Sequence, residues 1–192
     1  MKKFVAAILA TMMVMSLAGC GKTGLLDGEG ALAWAEKDEN IEYTEYDDGT
    51  YIFEGKMDCV MKTAWFDFTV NDAYITEDEI GGYTPADGDV LLVVDMTLKN
   101  TFTESVGMYT YDFCVQWDED AYTYPIEEEI MDGQYPADYT LSVDEKRDGV
   151  YIFEVPAGYE DYAIFFEELF DDGSDEGASG DLFAVYFTAE EK

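Results

Sequence analysis

Apolar and polar residues alternate with a period of two along most of the chain beyond residue 60. Ala64, Phe66, Phe68 and Val70, for example, are separated by Trp65 and polar residues. Successive side chains of a strand point to opposite faces, so this spacing predicts β-strands with one buried face. The pattern predicts strands over 64–70, 90–100, 109–117, 121–126, 139–143, 150–155, 162–167 and 182–188.

Glycine, proline and aspartate cluster between these segments, which is typical of turns. The predicted turns lie at 85–88, 118–120, 148–149, 156–158 and 171–177. About eight short strands at this spacing predict an all-β fold, an antiparallel immunoglobulin-like β-sandwich. A closed barrel is the alternative.

The first twenty residues have a different pattern. Lys2 and Lys3 precede an apolar stretch over 4–17, which is short for a transmembrane helix. Leu17-Ala18-Gly19-Cys20 then fits the lipobox of bacterial lipoproteins. We therefore predict a signal peptide over residues 1–19 and lipid attachment at Cys20. An ordinary secretory signal is the alternative, and either one places the mature chain outside the cytoplasm.

The same region contains Gly21-Lys22-Thr23, which is how a phosphate-binding P-loop ends. A P-loop also needs a glycine five residues before Gly21, where this chain has Ser16. Gly24 and Gly28 also disfavour the helix that would hold the phosphates. We therefore interpret the match as accidental.

Residues 20–49 are rich in glycine and acids and contain few large apolar residues. We predict that they form a flexible tether, with a short helix around 31–37. Residues 50–192 then form the β-sandwich domain.

Charge and composition restrict the function. The chain has 44 acidic and 10 basic residues, a formal net charge of −34 and no histidine. Such acidity disfavours nucleic acids and favours a cationic ligand or another envelope protein as the partner. The absence of histidine excludes catalytic triads and histidine zinc sites. Carboxylate pairs arise by chance among so many acids, so we expect a binding protein and no enzyme.

Two stretches carry a resemblance to a known family: "PADGDVLLVVDMTLKN" (85–100) and "DGVYIFEVPAGYEDYAIFF" (148–166). They resemble Gram-positive lipoproteins of unknown function whose immunoglobulin-like domain is related to the secreted immunoprotective antigen of mycobacteria. The resemblance implies a lipid-anchored protein on the extracytoplasmic face of a Gram-positive cell membrane, and it brings no catalytic residues. The family usually has a Pro-Gly turn before the late strand, where this chain has residues 143–147.

A calcium site is one candidate. Asp172, Ser174 and Glu176 occupy positions 1, 3 and 5 of a calcium loop, with Asp181 nearby. Position 12 should be a bidentate glutamate but is Phe183. A weakly bound calcium ion is therefore the only cofactor that we consider, and a solvated loop is the alternative.

The cysteines and the aromatic residues give two further candidates. Cys59 and Cys114 could form one disulfide outside the cytoplasm or remain free thiols. Trp65, on the polar side of its strand, and Tyr122 and Tyr124 are candidates for stacking on a sugar or a peptide.

Overall fold

The alternating segments form the strands of two main sheets. The computed structural model describes residues 28–47, 49–170 and 178–192. Helix α1 occupies Gly28–Ala35, and a 3₁₀ turn occupies Thr110–Asp112. The strands are β1 (Glu42–Glu45), β2 (Tyr51–Lys56), β3 (Met61–Lys62), β4 (Phe66–Thr76), β5 (Asp89–Asn100), β6 (Val106–Tyr109), β7 (Phe113–Asp118), β8 (Ala121–Thr123), β9 (Asp138–Leu141), β10 (Lys146–Pro156), β11 (Asp161–Phe170), β12 (Ala178–Thr188) and β13 (Glu190–Glu191).

Two sheets face each other, and the predicted β-sandwich is confirmed. A six-stranded sheet has the order β1-β2-β12-β11-β7-β8, and a five-stranded sheet has the order β10-β5-β4-β13, with β3 also paired to β4. A separate pair joins β6 and β9. Most pairings are antiparallel, but β12 with β2 and β13 with β4 are parallel. The strand number exceeds the predicted eight because some strands are only two to four residues long.

The main core lies between the two sheets and is unusually aromatic. Phe66 and Phe68 of β4 point into it, and Phe66 packs edge-on against Phe166 of β11 with ring centroids 4.9 Å apart. Phe53 of β2 stacks on Phe183 of β12 at 5.2 Å. The alternation in sequence therefore arises from one face of each strand packing against the opposite sheet.

Loops cover one part of the outer face of the five-stranded sheet. Leu91, Val93 and Ile152 point away from the main core yet are buried beneath Ile130 and neighbouring apolar residues of the connecting segments. Gln134 fixes one segment, because its side chain bonds the backbone of Ile126, Glu128 and Ile130. Cover on both faces explains the unbroken apolar run over 90–94.

We predicted a flexible tether over residues 20–49, but the described part of this segment packs on the sandwich. Ala35 and Ile41 are buried in the main core, and β1 pairs with β2 at the edge of the six-stranded sheet. Trp34 packs on Phe53 with ring centroids 5.1 Å apart.

The turn predicted at 148–149 is wrong. Asp148 and Gly149 lie inside β10, and the reversal occurs earlier, where the Glu145 N–H donates to the Ser142 carbonyl at 3.0 Å. Asp144 adopts a left-handed φ of 61° there. Gly149 instead permits close packing, because a Cβ at this position would lie 2.9 Å from the Gly133 carbonyl oxygen.

Among the described residues, no helix is long and apolar enough to cross a lipid bilayer.

Candidate binding face

The outer face of the six-stranded sheet carries a row of side chains that faces away from the core. Tyr122 of β8 lies opposite Gln116 of β7, Gln116 opposite Ala163 of β11, and Ala163 opposite Tyr186 of β12. Directly opposed residues in antiparallel strands project from the same face. We call this row, together with Tyr124, the tyrosine face.

Tyr122 and Tyr124 form one wall of the tyrosine face. Their rings meet edge-on with centroids 5.9 Å apart. Tyr122 keeps 45% of its surface exposed, whereas Tyr124 packs on the small apolar cluster around Cys114 and Phe165. Tyr124 is thus held in place by packing and supports an exposed Tyr122 ring.

Gln116 lies beside Tyr122 and has an unsatisfied acceptor. Its side chain is only 4% exposed, and Nε2 donates to the Glu119 carbonyl at 2.8 Å. A carbonyl only accepts, so this bond fixes the orientation of the amide. Oε1 is buried and has no hydrogen-bond partner among the residues that the structure describes. An acceptor left in this state costs about 1–3 kcal/mol.

Tyr186 stands on the other side of Ala163, which is buried in the small apolar cluster that Tyr124 and Tyr186 pack on. The Tyr186 hydroxyl donates to Glu54 Oε1 at 2.8 Å. Burial and this contact raise the pKa of Tyr186. Asp161 adds a second carboxylate on the same side of the sheet, where it accepts from the Thr188 hydroxyl at 2.8 Å. Two carboxylates therefore lie on this face, together with Lys56, which is opposite Tyr186.

The predicted aromatic residues are not all together. Tyr122 and Tyr124 share the tyrosine face, whereas Trp65 lies between β3 and β4 of the other sheet. Trp65 is half-buried, and its ring packs edge-on against Phe166 at 6.5 Å. Gln116 and Tyr186 were not selected from the sequence. Gln116 stands on the polar side of the alternation over 109–117, where nothing distinguishes it from a solvated residue.

A comparison with family profiles identifies the domain. Residues 56–176 match the Domain of unknown function (DUF4352). The chain belongs to this family. The match contains both stretches that carried the resemblance, 85–100 and 148–166, and confirms that resemblance. Within the tyrosine face, the DUF4352 match includes Gln116 and Tyr122 but ends before Tyr186.

Solved structures with a similar fold have low sequence identity. The chain is 17% identical to a proposed lipoprotein, ycdA, of Bacillus subtilis, with a TM-score of 0.48. The alignment covers 66% of this chain and only 38% of the length of that one. The secreted protein MPT63 of Mycobacterium tuberculosis is 14% identical over 68% of this chain and 95% of its own, with a TM-score of 0.49. An uncharacterized β-sandwich protein of Clostridium difficile is 12% identical over 77% and 97%, with a TM-score of 0.45. No curated protein matches the chain in sequence.

The predicted calcium ligands Asp172, Ser174 and Glu176 lie outside the described residues. Asp181 is described, and its Oδ1 accepts the Tyr51 N–H at 2.9 Å. Within residues 28–47, 49–170 and 178–192, no group of three or more Cys, Asp or Glu side chains is placed to hold a metal ion.

Cys59 and Cys114 are both buried and free, so the disulfide that we considered between them is not formed in the structure. Cys59 belongs to the main core, and Cys114 to the small cluster beneath the tyrosine face. Burial and the nearby charge of Glu167 raise the pKa of the Cys114 thiol to about 12.

Glu168 is a buried acid that sequence reasoning missed. It is only 5% exposed, and its carboxylate accepts the N–H groups of Ala64, at 2.6 Å, and of Asp181. Burial raises its pKa to about 7. The alternation through Ile164 and Phe166 places Glu168 on the inner face, so the sequence did contain a signal.

Proposed function

We propose that this DUF4352 protein is a lipid-anchored, extracytoplasmic binding module that holds its ligand on the tyrosine face and performs no catalysis. The anchor rests on the sequence Leu17-Ala18-Gly19-Cys20 and the apolar stretch before it. The binding role rests on the geometry around Gln116.

The anchoring has a direct test in the producing cell. Without its thiol, the chain has no site for diacylglycerol attachment. A Cys20→Ala variant is therefore expected to leave the membrane fraction, as measured by fractionation and immunoblotting. Retention of that variant in the membrane would contradict lipid anchoring at this residue.

The unpaired Oε1 of Gln116 is the observation that supports binding. Buried acceptors are nearly always paired, and an unpaired one calls for a partner such as an ordered water, an ion or a ligand. Here the acceptor lies beside an exposed ring, Tyr122, on a face that has no catalytic histidine or cysteine thiolate. A donor group that packs on Tyr122 would satisfy Gln116 once a shift of the neighbouring side chains uncovers the buried Oε1.

The ligand that fits best is cationic. Glu54 and Asp161 lie on the same face, and the net charge of −34 attracts cations from a distance. A lysine or arginine side chain of another envelope protein can lie over the exposed Tyr122 ring, and it can donate to Gln116 once Oε1 is uncovered. A sugar hydroxyl beside the Tyr122 ring is the second candidate.

Binding can be measured by calorimetry with two probes, a tetra-arginine peptide and tri-N-acetylglucosamine, at physiological salt. The variants are Tyr122→Ala and Gln116→Met, which keeps the length of the side chain. Each is expected to weaken peptide binding about tenfold, corresponding to about 1.4 kcal/mol. Gln116→Met is expected to change the stability of the unligated protein little, because it removes the unpaired acceptor together with the hydrogen bond from Nε2 to the Glu119 carbonyl.

Tyr159→Ala is the matched control, because Tyr159 is also an exposed tyrosine and lines a cavity with Ile75 and Val90 of the other sheet. Equal peptide binding by all variants would mean attraction by net charge alone and would contradict the proposed site. Binding of the sugar without the peptide, lost in Tyr122→Ala, would establish the carbohydrate module instead.

A further inference from the structure

Three of the ten basic residues form one row across the outer face of the five-stranded sheet. Lys62 of β3 lies opposite Asp67 of β4, Asp67 opposite Lys99 of β5, and Lys99 opposite Lys146 of β10. Strands are about 4.8 Å apart, so the lysine row spans about 14 Å. All three lysines are exposed, whereas the neighbours of Lys62 and Lys99 along their strands are buried.

The lysine row has aspartates as neighbours on the same face of the sheet, and it is partly neutralised by them. Lys62 and Lys99 form no ion pair in the part of the chain that the structure describes. Asp67 lies between these two lysines, and the charge of each lowers its pKa. Burial outweighs them and raises the pKa of Asp67 overall. Lys146 pairs with Asp148 at 3.5 Å, but both side chains are largely exposed. Such a pair is weak and easily exchanged for another anion.

At the β3 edge, the lysine row continues into a groove of about 410 Å³ between β3 and α1. Trp34 and Val60 provide apolar surface in the groove, and Val60 is 43% exposed. Lys37 and Lys62 stand at its sides, with Asp38 as the one acid. An aromatic ring and an aliphatic side chain flanked by lysines suit the boundary between lipid headgroups and acyl chains.

The chain length indicates which surface the groove meets. Cys20, the proposed lipid attachment site, precedes the start of α1 at Gly28 by eight residues. Eight residues reach at most about 29 Å when fully extended, so α1 and the groove remain close to the bilayer. An acidic domain is repelled by anionic lipid, and turning its lysines towards the bilayer reduces that repulsion.

We propose that the lysine row and the groove form a membrane-facing surface that binds the phosphate headgroups of anionic lipids. This inference rests on the lipid anchor of the proposed function. The outer faces of the two sheets point in opposite directions. This orientation therefore turns the tyrosine face away from the bilayer, and a partner can reach it there.

Amine-reactive footprinting of the lipidated protein tests the orientation without altering the chain. The protein is placed in phosphatidylcholine vesicles with or without phosphatidylglycerol, and the acylation rate of each lysine is measured by mass spectrometry. Lys56 is the matched control, because it is exposed on the outer face of the opposite sheet. We expect Lys62 and Lys99 to react at least threefold more slowly than Lys56 on anionic vesicles, and 0.5 M NaCl to abolish the difference.

Equal protection of Lys56 and Lys62, or the same protection on phosphatidylcholine alone, would overturn the inference. A Lys99→Glu variant is expected to restore the reaction rate of Lys62, and protection that persists would also overturn it. Sedimentation of the same samples separates the two proposals. Protein that remains in the supernatant contradicts the anchor as well as the orientation, whereas protein that sediments without protection contradicts the orientation alone.

Discussion

At the scale of single residues, Glu168 makes the stability depend on pH. Burial raises its pKa from an ordinary 4.5 to about 7 in the folded chain. The resulting stability is complete below pH 4.5 and is lost as the pH rises through 7. Glu168 should therefore contribute a fall of about 2–3 kcal/mol in the free energy of unfolding between pH 4 and 8, and Glu168→Gln should lack this contribution.

Urea unfolding at several pH values measures this dependence. The amide in Glu168→Gln also alters the hydrogen bonds to Ala64 and Asp181, so the change in stability with pH, and not the stability at one pH, is compared. Asp112, whose pKa is also raised to about 7 by burial, contributes to both proteins and cancels in the difference. Glu160→Gln, at an exposed position, should follow the wild-type curve. Parallel curves for wild type and Glu168→Gln would show that the carboxyl is not buried as described.

Gly149 gives a second prediction for a single residue. A Cβ at this position would lie 2.9 Å from the Gly133 carbonyl oxygen and 3.0 Å from the Tyr135 ring. Backbone and a buried ring cannot easily move, so Gly149→Ala should lower the free energy of unfolding by about 1–3 kcal/mol. Gly107→Ala is the control, because its nearest neighbour would be 3.7 Å away. Equal stability of the two variants in urea would contradict this packing.

At the scale of elements, α1 should stabilise the sandwich. Trp34 packs on Phe53, and Ala35 is 2% exposed. Because Trp34 is half-buried, Trp34→Ala should cost on the order of 2 kcal/mol in urea unfolding, less than a fully buried tryptophan. Glu39→Ala, in the same segment but exposed, should change stability by less than about 0.5 kcal/mol. If both variants unfold like the wild type, the segment is a tether, as its composition predicted.

The long strands were predictable because alternation records burial directly. β5 and β11 lie close to the predicted 90–100 and 162–167. Two features were not predictable for physical reasons. Gly149 was interpreted as a turn because composition cannot distinguish a left-handed glycine from one that permits close packing. The lysine row depends on strand register, which joins residues 62, 67, 99 and 146 although they are distant in sequence.

The candidate site was predictable only in part, for a similar reason. Aromatic character pointed to Tyr122 and Tyr124, which do lie together. The same criterion selected Trp65, which packs on the core. Gln116 has no distinguishing pattern in the sequence, because its unpaired oxygen results from what surrounds it in three dimensions. Such a feature depends on contacts between strands, which one sequence does not specify.

At the scale of the whole molecule, the net charge of −34 should oppose folding through mutual repulsion of the carboxylates. Ion pairs between opposite charges can offset little of this repulsion. Within the described residues, the ion pairs are Lys146–Asp148, Arg147–Glu145 and Lys192–Asp72. Salt shortens the screening length from about 30 Å at 0.01 M to about 10 Å at 0.1 M. Salt should therefore relieve more repulsion than it removes attraction.

We therefore expect NaCl to stabilise the protein. Raising NaCl from 10 to 300 mM at pH 7.5 should increase Tm by several degrees, since 1 kcal/mol corresponds to about 2–4 °C for a domain of this size. Differential scanning calorimetry of the non-lipidated chain measures it. Sucrose, which stabilises by exclusion from the protein surface without screening charge, provides the comparison, because its effect should be independent of pH. The NaCl effect should instead shrink at pH 4, where many carboxylates are protonated. A fall in Tm with NaCl at pH 7.5 would mean that the few ion pairs outweigh the repulsion.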